Sequence, residues 1–241
     1  MRATSIIFRR ELGAYLRSPI GWVVAAALLL LDGLLFQAFA MERAALSADV
    51  LRAFFMWTSI TTGIASIVLS VRLVAEERQT GSMVLLNTSP VHDVEIVVGK
   101  FLAAFVFLCG MVLLTIYMPL LIKVHGKITY TQIAVGYLGL FLMGATGISV
   151  GLFAGCLTRN QLAAYFLGGF FLGIMDALYH LGKVLDPPLR ETFSSLDYWW
   201  EHFQLGFMSG VLNLKDVVYY GAVTYFFLLL SVKTLEAKRW Q

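Results

Sequence analysis

The chain has 241 residues, of which 59% are hydrophobic and only 14% charged, with a formal net charge of +3 and a mean hydropathy of +0.78. A soluble domain carries about 25% charged residues, so this composition excludes an ordinary soluble fold and leaves little length for a separate soluble domain. The basic residues sit between apolar blocks, which excludes a nucleic-acid footprint and reads instead as a topology signal.

In chain order, residues 5–17 are amphipathic. Phe8, Leu12, Tyr15 and Leu16 share a helical face, with Arg9, Arg10 and Arg17 elsewhere around it. That pattern suits a helix lying in the headgroup plane. Pro19 marks a break before a first crossing over about 20–41. The basic start and Ala38-Phe39-Ala40 imitate a cleaved signal, but the basic stretch reaches Arg17 and Asp32 interrupts the apolar run. We therefore expect a retained first crossing. A second crossing follows over about 53–74, then a charged island, Glu76-Glu77-Arg78-Gln79-Thr80-Gly81, that continues to Pro90. The third crossing is expected over about 96–122. The fourth, over about 132–157, is rich in glycine: Gly136, Gly139, Gly144, Gly147, Gly151 and Gly155. Small residues at near-helical spacing let helices approach closely in lipid. A fifth crossing is expected over about 162–181, a long polar segment over 182–216 with Tyr198-Trp199-Trp200, and a sixth crossing over about 217–235. Each block is long enough for the ~20 helical residues that about 30 Å of hydrocarbon requires. The reading is one transmembrane domain, all-α, over 1–241.

Six crossings put both termini on one side. That side holds eleven basic residues, including Arg72, Arg78 and Lys100, against seven on the other. The bias places the termini and the island in the cytoplasm and the Trp-rich segment outside. Cys109 and Cys156 lie within apolar blocks and read as small hydrophobes.

No GxxxxGK[ST], HExxH or CxxC motif occurs in the sequence, so no residue is assigned to catalysis or to a metal. Any energy would come from another chain. Asp32, with Gln37 five residues on, lies near mid-membrane, where a charge is costly. It reads either as part of a cargo pathway or as a neutralised residue in a packed interface. Asp176 and His180 share a helical face at i,i+4 and are expected to be a solvated helix end. An intramembrane hydrolase built on them would need a further polar ligand or nucleophile. His125 and His202 fall in outer loops and are expected to have no special role. In the island, Gly81 permits a turn, Thr80 or Ser82 caps a short helix carrying Leu85 and Leu86, and Pro90 ends it. An apolar tip framed by charge suits either docking to a partner or resting on the membrane.

The chain resembles the membrane subunits of ABC-2 type transporters, in the branch of permeases associated with gliding motility and nitrous-oxide-reductase maturation. Three blocks carry the likeness: Arg9-Arg10-Glu11-Leu12 to Trp22; Glu76-Glu77-Arg78-Gln79-Thr80-Gly81 through Leu85-Leu86, Ser89-Pro90 and Gly99-Lys100-Phe101; and His202-Phe203 through Asp216-Val217 to Trp240. The resemblance implies six transmembrane helices behind an N-terminal interfacial amphipathic helix that includes Phe8, Arg9, Arg10, Glu11 and Leu12. It implies two permease copies, identical or paralogous, that meet through the first and fifth crossings. Two ABC ATPase subunits, holding ATP and Mg, bind below them. The coupling segment, 75–92, would use Glu76, Glu77, Thr80, Gly81, Leu85, Leu86 and Pro90. The expected function is export by alternating access in a bacterial inner membrane, among membrane lipids and with an accessory periplasmic protein. A non-transporting anchor of a motility or envelope-assembly complex is the alternative.

Overall fold

The computed structural model describes residues 2–41, 46–79, 91–158, 160–186 and 189–239. Among these residues all regular structure is helical. Helix α1 spans Arg2–Arg17. α2 spans Pro19–Leu35 and continues as a π-helical turn, Phe36–Met41. α3 spans Ser47–Gln79, α4 Asp93–Leu114, α5 Tyr117–His125 and α6 Tyr130–Leu157. α7 spans Gln161–Gly182, α8 Leu189–Ser194 and α9 Leu214–Arg239. Six spans are long and apolar enough to cross a membrane: α2, α3, α4 with α5, α6, α7 and α9.

Local chemistry explains the boundaries. Pro19 sits at the first position of α2, where its missing N–H costs nothing. α6 opens with a capping box: Thr129 Oγ1 accepts from the Gln132 amide at 3.3 Å while Gln132 Oε1 accepts from the Thr129 amide at 3.1 Å. Asn160 Oδ1 accepts from the Leu162 amide at 2.9 Å and caps α7. One crossing was expected over 96–122, and that span is broken between α4 and α5. Pro119 accounts for the break: its ring lacks a donor and clashes with the carbonyl four residues earlier, at Thr115.

α6 is the most enclosed span, with α3 next, while α2, α7 and α9 expose most of their surface. The glycine face of α6 makes this possible. A Cβ at Gly147 or Gly151 would collide with the hydroxyls of Ser66 or Ser70 on α3, and one at Gly136 with the ring of Phe55. Side chains of α3 rest directly on the α6 backbone here, so the α3–α6 pair forms the spine of the bundle. At the end carrying both termini, α1 packs across α4 and the close of α3. At the opposite end, residues 189–213 fold over α6 and α7 and are hydrogen-bonded to α9.

Candidate functional site

Three elements meet at one lysine at the terminal end. Lys100, on the second turn of α4, is only 1% exposed. Its ammonium lies 3.0 Å from Glu11 Oε1 on α1 and donates to the Leu73 carbonyl on α3 at 2.7 Å. Arg10 also bonds Glu11. Burial alone would raise the Glu11 carboxyl, but Lys100 and Arg10 outweigh it and hold its pKa below the ordinary value. Next along α1, the Tyr15 hydroxyl donates to the Leu69 carbonyl at 2.7 Å, and its ring stacks on Phe107 at 4.9 Å. The elbow into α2 is tight: a Cβ at Gly21 would strike the Tyr15 carbonyl, Trp22 Nε1 donates to the Leu16 carbonyl at 2.8 Å, and Arg72 reaches Ser18 at 3.4 Å.

The inward face of α1 is therefore Ile7, Glu11 and Tyr15, set at i,i+4 intervals. This corrects the expected face of Phe8, Leu12, Tyr15 and Leu16. Phe8 and Leu12 are half-buried, Leu16 is exposed, and Arg9 and Arg10 point outward. Glu11 is an internal brace and is not displayed on the surface. Periodicity alone favours apolar residues for the inward face, and only the distant Lys100 makes Glu11 one of them.

The flanks of the island lie beside this joint. α3 runs on through Glu76 and Glu77 to Gln79, and α4 starts at Asp93 with Asp93 and Glu95 in its first turn, where carboxylates favour the helix dipole. Thr80, Gly81, Leu85, Leu86 and Pro90 lie outside the described residues. Their flanks are placed: one end follows α3 six residues beyond Leu73, the other precedes α4 seven residues before Lys100.

Asp32 and Gln37 are not brought together. Asp32 is 2% exposed and turned into the bundle, where Thr61 Oγ1 donates to its Oδ1 at 2.6 Å; its Oδ2 is buried without a hydrogen-bond partner. Gln37 is exposed on the π-turn. Beyond Asp32, Thr115 at the α4–α5 break bonds Tyr137 of α6 at 2.9 Å. Among the described residues no group of three His, Cys, Asp or Glu side chains could hold a metal.

The opposite end is a folded cap where a polar loop was expected. His202 is 1% exposed, with Nδ1 2.7 Å from Asp216 Oδ1 and Nε2 3.1 Å from the Ser195 carbonyl. Both ring nitrogens thus face oxygen atoms. The ring stacks on Tyr219 at 3.9 Å. Tyr220 donates to the Tyr198 carbonyl at 2.7 Å, Tyr198 to the Met143 carbonyl at 2.9 Å, and Trp199 Nε1 to Ser59 Oγ at 2.7 Å. These bonds tie the cap to α9, α6 and α3. Phe203 and Phe207 are fully buried against α6. Gly210 closes the cap at φ 76°, a left-handed conformation that glycine adopts without strain. Asp197 is fully buried, and burial pushes its carboxyl up to about 6; the N–H of Glu201 opposes this, and neighbouring Asp176 adds to it.

Six apolar spans around a glycine-lined spine, with a charged joint at one end and an aromatic cap at the other, define a multi-pass membrane protein of the permease type. The sequence matches the profile described as ABC-2 family transporter protein over residues 35–196. That is more than half of the chain, and the chain belongs to this family. The match runs from the π-turn of α2 into the cap and contains the whole island. The family is the membrane component of transporters and is not itself catalytic; in general it works with an ABC ATPase. No curated protein matches the sequence.

Proposed function

We propose that this chain is the membrane subunit of an ABC-2 exporter, driven by a separate ATPase that grips the segment 75–92. The observation that carries the reading is the Lys100 joint. One buried ammonium ties α1, α3 and α4 together beside both ends of that segment. A push on the segment therefore moves three helices as a unit. A bare loop between two independent helices would absorb the same push.

In this reading two ATPase subunits hold ATP and Mg, and this chain binds no nucleotide. Two permease copies meet through α2 and α7, both of which leave broad apolar faces uncovered, including Leu30 and Leu34 on α2 and Phe166 and Phe170 on α7. Both termini face the cytoplasm of a bacterial inner membrane, and the cap faces outward. Alternating access arises when the joint carries the push into α3 and α4 and the glycine-lined contacts of α6 and α7 shift. The likeness at the Arg9–Trp22 and His202–Trp240 blocks favours the gliding-motility and nitrous-oxide-reductase branch.

The test is to replace Leu85 with Asp, or Gly81 with Pro, in the assembled complex. Insertion and assembly should stay normal while ATP hydrolysis no longer responds to the permease. Variants that retain full ATPase stoichiometry and wild-type activity would refute the proposal.

A further inference from the structure

A cavity of about 420 Å³ lies between α3 and α7 beneath the cap. That volume is within the ~300–1,000 Å³ usual for small-ligand sites. Its walls are Ile60, Ile64 and Ile67 of α3 and Leu172 of α7. Ile60 and Ile64 are 42% and 60% exposed, so the cavity opens sideways on the surface of the bundle, where the surrounding solvent is hydrocarbon. Gly169 and Gly173 face it with nothing within 4 Å of a Cβ built on either. The space therefore exists because two side chains are missing.

The closed end has a different chemistry. Trp199 Nε1 is committed to Ser59, and the Tyr198 hydroxyl to Met143. Two polar groups remain. The Asp176 carboxylate has no Lys or Arg ion pair among the described residues, and the nearest basic side chain along α7 is His180, one turn on. The Trp200 indole N–H is buried without a geometrically acceptable hydrogen-bond partner, although the carboxylate of Asp176 is close enough to interact with it. Asp197 lies fully buried behind this wall, outside the cavity, and feels Asp176. Trp200 itself is fixed by stacking on Tyr179 at 5.6 Å and by the edge contact with His180 at 5.2 Å. An apolar slot ending in excess negative charge and aromatic rings is complementary to a hydrocarbon chain ending in a cation.

We propose that this cavity binds an alkyl-chain amphiphile, its chain lying between α3 and α7 and its ammonium head held by Asp176 beneath Trp200. The site belongs to this chain and does not depend on which ATPase drives it. The head can belong to an amine-bearing membrane lipid or to a free cationic amphiphile.

The test uses the full chain, without partner, in phosphatidylcholine nanodiscs, with dodecylamine and dodecanol as probes and tryptophan fluorescence as readout. Dodecylamine should bind saturably and about tenfold more tightly than dodecanol, the ratio that a charge-assisted hydrogen bond supplies. Asp176→Asn should abolish that preference, and Gly173→Leu, whose side chain enters open space, should weaken both probes. Equal binding of the two probes to the wild-type chain would overturn the proposal, as would a preference that survives Asp176→Asn or an insensitivity to Gly173→Leu. Adding phosphatidylethanolamine to the nanodiscs separates the sources. Suppressed dodecylamine binding identifies a resident lipid as the occupant, and unchanged binding identifies a free amphiphile.

Discussion

At the terminal end Glu11 is buried with a permanent cation on either side of it, and both fix its charge in place. At the opposite end Asp197 and Asp216 are buried as well, and their hydrogen-bond partners are a backbone amide and one histidine, neither carboxylate being in a Lys or Arg ion pair among the described residues. The first arrangement ties three helices together at one buried ammonium. The second rests on hydrogen bonds and ring stacking around one carboxyl, Asp197, raised to about 6, and it closes one end of the cavity between α3 and α7. A buried ion pair is costly to assemble and still costlier to break on one side. It suits a part that must transmit force without deforming, whereas the cap suits a part that must receive and release something.

The sharpest way to break this comparison is Lys100→Met. It removes the buried one of the two cations beside Glu11, leaves the half-exposed Arg10 as its partner, and should cost about 3 kcal/mol, the low end for a broken buried pair, read as a drop in the thermal unfolding midpoint of the purified chain. The double variant Glu11→Leu with Lys100→Met should recover most of the loss, since a buried pair replaced by apolar groups is often near neutral. Removing His202 as Phe keeps the stack on Tyr219 but leaves Asp216 without its partner. The expected cost is about 1.5–3 kcal/mol, confined to the cap and visible as faster amide exchange in residues 194–210, with residues 2–17 unchanged. Gly151→Leu strikes the shared spine. It should destabilise by about 1–3 kcal/mol and loosen both ends together, which distinguishes spine from ends.

The smallest effect is the dependence on pH, and its sign differs between the ends. Glu11 has a folded pKa below its ordinary value of 4.5. Its contribution is complete above that value and is lost as pH falls through the lower folded pKa. Asp197 is raised from 3.8 to about 6, so the folded cap binds a proton that the unfolded chain does not between those values. Cap stability from this group therefore increases as pH falls from about 6 to about 4. Amide exchange corrected for its intrinsic rate should show the cap slowing between pH 7 and pH 5 while the α1 brace stays constant. Asp197→Asn should remove the cap's response.

Much of the architecture could be read from the sequence because membrane spans advertise themselves as long apolar blocks. The glycines of α6 also gave away a close helix contact, since nothing else explains so many small residues in one span. The break at Pro119 was harder to see, because hydropathy is unchanged across a kink. Lys100 was counted as a topology charge and proved to be the centre of the joint; its partners lie 27 and 89 residues away, and no local pattern links them. His202 and Asp216 looked like polar loop residues for the same reason. Composition reports what a side chain is, while burial depends on what the rest of the chain folds over it. The residues assigned to coupling at 80–90 lie outside the described residues, and the family profile spans them without specifying what each one does.

The central claim, that an ATPase pushes on the segment beside the Lys100 joint, is tested most directly by placing a photo-crosslinking amino acid at Leu85 in the intact membrane. The account predicts that it captures a P-loop ATPase and that the yield changes when ATP and Mg are supplied. Crosslinks to lipid alone, or capture of an ATPase with a yield indifferent to nucleotide, would contradict it.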